Sequence, residues 1–194
     1  VKIVLDKLGI DLYTHVVDNK EFENIQKSLL KASVPEFEAA TDLALATTHY
    51  MACAKYGIKH IWEGHSFRTE GVSPPGWFYM DAKYIKSIHQ KFGDGKIKST
   101  PLLWLSKWIK WMVINKIKKF RPLYYLDYNK EEVKKFLAQE YGWQWYGGHH
   151  MENRTAYFIN NYYLPIKFGI DLRWCEYSAL VRSGQMTREL ALQK

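Results

Sequence analysis

Cysteine is scarce in this sequence: Cys53 and Cys175 are the two among 194 residues, and neither belongs to a CxxC or CxxxxH run. A zinc site or a disulfide framework therefore has no support, and a reducing, cytoplasmic setting is the simpler expectation. Long apolar runs are missing too. The most promising stretch, Leu102 to Phe120, is interrupted by Lys107, Lys110, Lys116, Lys118 and Lys119, well short of the about 20 apolar residues that a membrane span needs. There is no internal repeat, low-complexity segment or Ser/Gly linker. The opening VKIVLDKLG contains Asp6 and lacks the apolar centre and small-residue cleavage site of a signal peptide. It is expected instead to be the end of a helix under way, because Ile3, Val4 and Leu8 keep helical spacing and Gly9 stands where a C-cap glycine belongs.

What is present suffices for a core. Hydrophobic residues make up 47% and aromatics 16% of the chain, enough for one domain or two small ones. The net charge of +8 favours an anionic partner, and a nucleotide, a sugar acid, a nucleic acid or a membrane surface would each satisfy it.

The pattern after Gly9 predicts a strand over IDLYTHVVD and a helix over EFENIQKSLLKA. Thr41 or Asp42 can cap the next helix, which is rich in alanine and stops at Gly57; KHIWEG then reads as a strand. Strands and helices alternating through short connections imply α/β architecture with a parallel sheet, whose ligands sit beyond the carboxyl ends of the strands. From Asp81 the pattern turns helical: DAKYIKSIHQKFG, PLLWLSKWIKWMVINKIKKF, NKEEVKKFLAQEYG, a helix over 152–164, and shorter ones in DLRWCEYSALVRSG and MTRELALQ.

Three segments carry groups suited to chemistry. The loop Glu63-Gly64-His65-Ser66-Phe67-Arg68-Thr69-Glu70-Gly71 leaves a strand and packs an imidazole, a guanidinium, two carboxylates and two hydroxyls between glycines. Arg68 can hold a phosphate or a sugar carboxylate, His65 can move a proton, and Glu63 or Glu70 can bind a metal or a sugar hydroxyl. A self-satisfied surface loop would have the same composition. In the second segment, Gly147 and Gly148 allow a ligand close to the backbone, ahead of His149, His150, Glu152, Asn153 and Arg154 at a helix start. A capped turn with a packed histidine fits equally. The third segment presents Arg182 and Arg188 around Ser183-Gly184, where a C-cap and a Thr187 N-cap explain most of the pattern. Tryptophans 104, 108 and 111 with the intervening lysines suit a basic helix packed on the rest of the protein, or one lying on a membrane. Asp42 serves as cap or ligand with equal ease.

Together the runs DKLGIDLYTHVVD, WEGHSFRTEGVSPPGWFYMDAKYI, WYGGHHMENR, YYLPIKFGIDLR and SALVRSGQMTRE resemble the N-acetyl sugar amidotransferase family of the WbpG and PseA type, across essentially the whole chain. The resemblance implies the adenine nucleotide alpha hydrolase-like fold of the ATP pyrophosphatases. Residues 1–95 would then be part of that α/β domain, and 96–194 a mainly helical C-terminal region. It also implies ATP and magnesium as cofactors, and conversion of a sugar acetamido group to an acetamidino group through an adenylated intermediate. The substrate would be a UDP-linked N-acetylated sugar acid of surface polysaccharide (LPS O-antigen) biosynthesis, and a separate glutaminase would supply the ammonia. His65, Arg68, Glu63 and Glu70 would be catalytic. Asp42, Gly64, Ser66 and Thr69 would bind the cofactor, and Gly147, Gly148, His149, His150, Glu152, Asn153, Arg154 and Arg182 the sugar. The family's SGGxDS phosphate loop does not occur in these residues, so the polypeptide is expected to bind ATP poorly and not to turn over alone. No nucleic acid partner is expected, and a homo-oligomer is compatible. Two other readings remain: a basic RNA-binding module of a tRNA-modifying relative, with steeply salt-dependent binding, and a non-catalytic scaffold that docks a glutaminase.

Overall fold

The computed structural model describes residues 2–148, 151 and 153–194. In chain order its helices are α1 (Lys2–Leu8), α2 (Asn19–Ala32), α3 (Ala39–Tyr56), α4 (Ala82–Phe92), α5 (Leu105–Ile109), α6 (Lys130–Tyr141), α7 (Arg154–Phe158), α8 (Leu164–Phe168), α9 (Arg173–Arg182) and α10 (Arg188–Gln193). Two short strands, β1 (His60–Trp62) and β2 (Lys118–Phe120), pair in parallel. Helix covers 56% of the chain, and the parallel pair is compatible with an α/β class. The chain divides into two units, each assembled from separated stretches: Tyr13–Ile61 with Pro75–Phe120, and Val1–Leu12 with Trp62–Pro74 and Arg121–Lys194.

In the first of these units α2 packs on α4, burying Ile25 and Leu29 of one and Ile85 and Ile88 of the other. Asp18 caps α2 by accepting from the Glu21 N–H at 2.8 Å. A second cluster joins Tyr50 and Cys53 of α3 to Ile61 and Ile117, with Trp111 stacked on Tyr50 at 5.5 Å. Fully burying such side chains is worth about 1.5–3 kcal/mol each.

Three expectations are corrected here. Residues 10–18 form no strand, and Ile10, Leu12 and Val16 are exposed. A strand exists only with a hydrogen-bonded neighbour, and among the described residues only β1 and β2 pair. The cap of α3 is not Thr41 or Asp42: the helix begins at Ala39, Glu38 stands at the N-cap, and Asp42 falls in the first turn, where a carboxylate complements the helix dipole. The basic helix does not reach Phe120. It continues from α5 as a π-helical turn, Lys110–Ile114, and breaks where Lys116 takes a left-handed φ of 56°. Ile117 then enters the core, and Lys118 donates its N–H to the Lys59 carbonyl at 2.8 Å beside β1. Burial of one isoleucine and pairing with β1 outweigh the helical periodicity.

Glu21 locks the loop ahead of α5. Its carboxylate accepts the backbone N–H groups of Lys98 (2.7 Å), Ser99 (3.0 Å) and Thr100 (2.7 Å) and the Ser99 hydroxyl (3.0 Å). Burial alone would raise its pKa; the Ser99, Lys98 and Thr100 N–H groups outweigh that and hold it at about 2, against an ordinary 4.5. A depressed folded-state pKa stabilises the fold above the unfolded value, and that stability is lost as pH falls from 4.5 toward 2. Glu21→Gln is expected to cost about 2 kcal/mol at neutral pH and to flatten the acid limb of the stability curve, measured by urea unfolding at a series of pH values.

In the second unit, α7 runs through a π-helical turn, Ile159–Tyr163, into α8. Pro165 lacks an N–H and crowds the preceding turn, and the widened π turn accommodates it. The Asn160 and Asn161 amides donate to the Ala156 and Tyr157 carbonyls at 2.9 and 3.0 Å, satisfying backbone that the irregularity disturbs. Thr187 caps α10, accepting from Leu190 N–H at 3.2 Å. Among the described residues, no helix is long and apolar enough to cross a membrane.

Candidate functional site

The loop that follows β1 closes into a single helical turn, because the Thr69 and Glu70 N–H groups both reach the Ser66 carbonyl, at 3.2 and 2.9 Å. That turn carries Glu70 back over His65, and its Oε2 lies 2.5 Å from Nδ1. An ionised carboxylate only accepts, so the shared hydrogen belongs to Nδ1 and Nε2 of a neutral ring is left as an acceptor. Tyr124 sits 6.0 Å from the His65 ring and meets Phe67 edge-to-face at 4.8 Å. The loop is pinned at its other end as well: the Ser183 hydroxyl donates to the Arg68 carbonyl at 3.0 Å.

The charged groups of the loop are matched. Arg121 Nε donates to Glu63 at 3.0 Å, and this bond, ahead of any other influence, raises the Arg121 pKa. Arg68 Nη1 donates to Asp127 at 2.8 Å, but that carboxylate stands wholly in solvent, so the pair is easily exchanged for another anion. Burial, seconded by the charge of Glu70, pushes the Tyr128 hydroxyl up. Thr69 is buried, and Ser66 is buried with a hydroxyl that has no partner among the described residues.

Gly64 does not need to be glycine: its φ is not left-handed and a Cβ there would meet nothing. Gly71 does. Its φ is +75°, and a Cβ would press on the Cys175 backbone, within 2.9 Å of the carbonyl carbon.

A hollow of about 420 Å³ in the same unit is lined by Lys134, Trp145, Gly147, Gly148, Glu176 and Gln185 among others. Lys130 reaches Glu176 at 2.5 Å, with side chains only 15% and 11% exposed, and the Lys130 N–H donates to Gln185 at 2.9 Å. Lys134 lies 3.8 Å over the Trp145 ring. Gly148 leaves room for Met151, whose sulfur would be 2.6 Å from a Cβ. Lys130, Glu176 and Gln185 are additions to the sequence reading; Lys130 lies 46 and 55 residues from the other two, and no local motif marks them.

The proposed residues thus fall into separate groups. His65, Arg68, Glu63 and Glu70 share one loop with Gly64, Ser66 and Thr69, whereas Asp42 belongs to the other unit. Gly147 and Gly148 line the 420 Å³ hollow, and Arg182 lines a different one of about 590 Å³ with Trp174 and Arg188. Asn153 is the N-cap of α7, accepting from Ala156 N–H at 2.7 Å, and Arg154 is exposed. His149, His150 and Glu152 lie outside the described residues. Both thiols are pushed up, first of all by burial, so neither is primed as a nucleophile. Among the described residues no three His, Cys, Asp or Glu side chains converge on a metal position. The two carboxylates of the loop are already engaged, Glu63 by Arg121 and Glu70 by His65.

Residues 152–194 match the family model for the LPS biosynthesis protein WbpG-like, C-terminal domain, while no curated protein and no solved structure matches the chain. The matched stretch holds α7 to α10 and supplies Glu176 and Gln185 to the 420 Å³ hollow, supporting a WbpG-like relationship at this end of the chain.

Proposed function

We propose that the protein works in ATP-dependent amidotransfer to an N-acetylated sugar in LPS biosynthesis, turning an acetamido group into an acetamidino group. The observation that carries the reading is the WbpG-like match over 152–194, a stretch that helps wall a hollow large enough for a sugar. Trp145, with Lys134 over its ring, walls one side of the hollow, and Gln185 and the Lys130–Glu176 pair offer donors and acceptors to sugar hydroxyls.

ATP, when bound, supplies an adenylyl group that makes the amide oxygen a leaving group. The residues present fit an anion at one point: Arg68, whose solvent-exposed partner Asp127 yields readily to a phosphate oxygen. His65 Nε2 takes a proton from the attacking ammonia nitrogen, and Glu70 holds the ring through Nδ1–H and stabilises the imidazolium that forms. With both thiols held up by burial, ammonia comes from a separate glutaminase in this scheme.

The test is ammonia-dependent AMP release by the full gene product with a nucleotide-linked diacetamido sugar acid. Arg68→Ala is expected to raise the KM for ATP about tenfold, with a smaller change in kcat. An unchanged KM would remove Arg68 from the nucleotide site.

A further inference from the structure

The unit formed by Tyr13–Ile61 and Pro75–Phe120 contains a hollow of about 620 Å³ that the amidotransfer scheme does not use. His89, in the last turn of α4, is 2% exposed and lines it, yet neither ring nitrogen has a hydrogen-bonding partner among the described residues. Leaving a buried polar group unpaired is costly, and such a group calls for an explanation. Gly93 packs closely on the ring: a Cβ there would come within 2.7 Å of Cε1.

Lys86, Lys96, Lys98 and Lys107 line the hollow, and among the described residues that line it there is no Asp or Glu. The nearby carboxylate, Glu21, is turned into the backbone N–H groups of Lys98, Ser99 and Thr100 and leaves the lysines uncompensated from that direction. Trp104 forms an apolar flank, with Lys86 Nζ 5.6 Å from its ring centroid.

We propose that this hollow binds a small phosphorylated molecule with a planar or apolar portion, the phosphate meeting His89 and the lysines and the planar part lying on Trp104. Several lysines suit a multiply charged oxyanion as point charges, and the buried imidazole supplies a directed donor. The volume exceeds what a bare phosphate fills and lies in the range of small-molecule sites. This site does not depend on the amidotransferase reading.

Titrating the full chain with phenyl phosphate, benzoate and inorganic phosphate tests it, read by histidine ring signals in NMR and by the part of the fluorescence change that Trp104→Phe abolishes. Phenyl phosphate is expected to move the His89 signals and quench Trp104. Lys86→Gln/Lys107→Gln, both at exposed positions, should weaken its binding about tenfold without changing the unfolding midpoint. No shift at His89 with phenyl phosphate, equal binding of benzoate or bare phosphate, or full affinity in the double variant would overturn the proposal.

Discussion

His65→Gln is expected to lower kcat for amidotransfer by about 10²–10³-fold, because a positioned proton acceptor contributes about that much and glutamine cannot take the proton. Glu70→Gln removes the charge that holds Nδ1–H and should cost less, about tenfold to a hundredfold. The two act as one unit, joined at 2.5 Å. The double variant should therefore be no slower than His65→Gln alone, where independent residues would multiply their losses. Steady-state rates of the four proteins decide between these outcomes. Both side chains are about a third exposed, so the fold should withstand either change. A fully active His65→Gln would remove the proton-transfer role.

Gly71→Ala should destabilise the protein by about 3 kcal/mol. The left-handed φ costs an alanine about 1–2 kcal/mol, and forcing its Cβ against the Cys175 backbone costs about as much again, since a carbonyl cannot rotate away as a side chain would. For a chain of this size that is a fall of about 10 °C in Tm. Gly64→Ala is the internal comparison: same loop, ordinary φ, empty surroundings. Its expected effect lies within about 0.5 kcal/mol of zero. Thermal scans of the two variants beside the parent check both values, and equal losses would contradict the close approach between the loop and α9.

The contrast between these glycines marks how far the sequence could be read. Composition and a position after a strand singled out the loop 63–71, and local signals were enough for Gly9, the Gly57 helix end and the Thr187 cap. Which glycine was indispensable depended on Cys175, 104 residues further on, and nothing local announces that. Residues 10–18 mislead for a related reason. Their β-branched, apolar pattern describes what a strand would need from its own side chains, but the pairing that makes a strand is supplied by another segment. The stretch 101–120 carries helical periodicity throughout, and it is the parallel partner β1 that takes its last residues into a sheet. The loop residues were legible as a set because they are contiguous. The Lys130–Glu176–Gln185 network was not, because Lys130 reaches Glu176 and Gln185 across 46 and 55 residues of chain.

The central claim is that a sugar amide oxygen is exchanged for nitrogen. Incubating the full gene product with a glutaminase, ATP, a nucleotide-linked N-acetylated sugar acid and amide-labelled glutamine, then weighing the sugar by mass spectrometry, addresses it directly. The account predicts a product in which one labelled nitrogen has replaced the acetamido oxygen, formed in equal amount with AMP. Release of AMP with an unaltered sugar, or a sugar altered without nitrogen from glutamine, would contradict it.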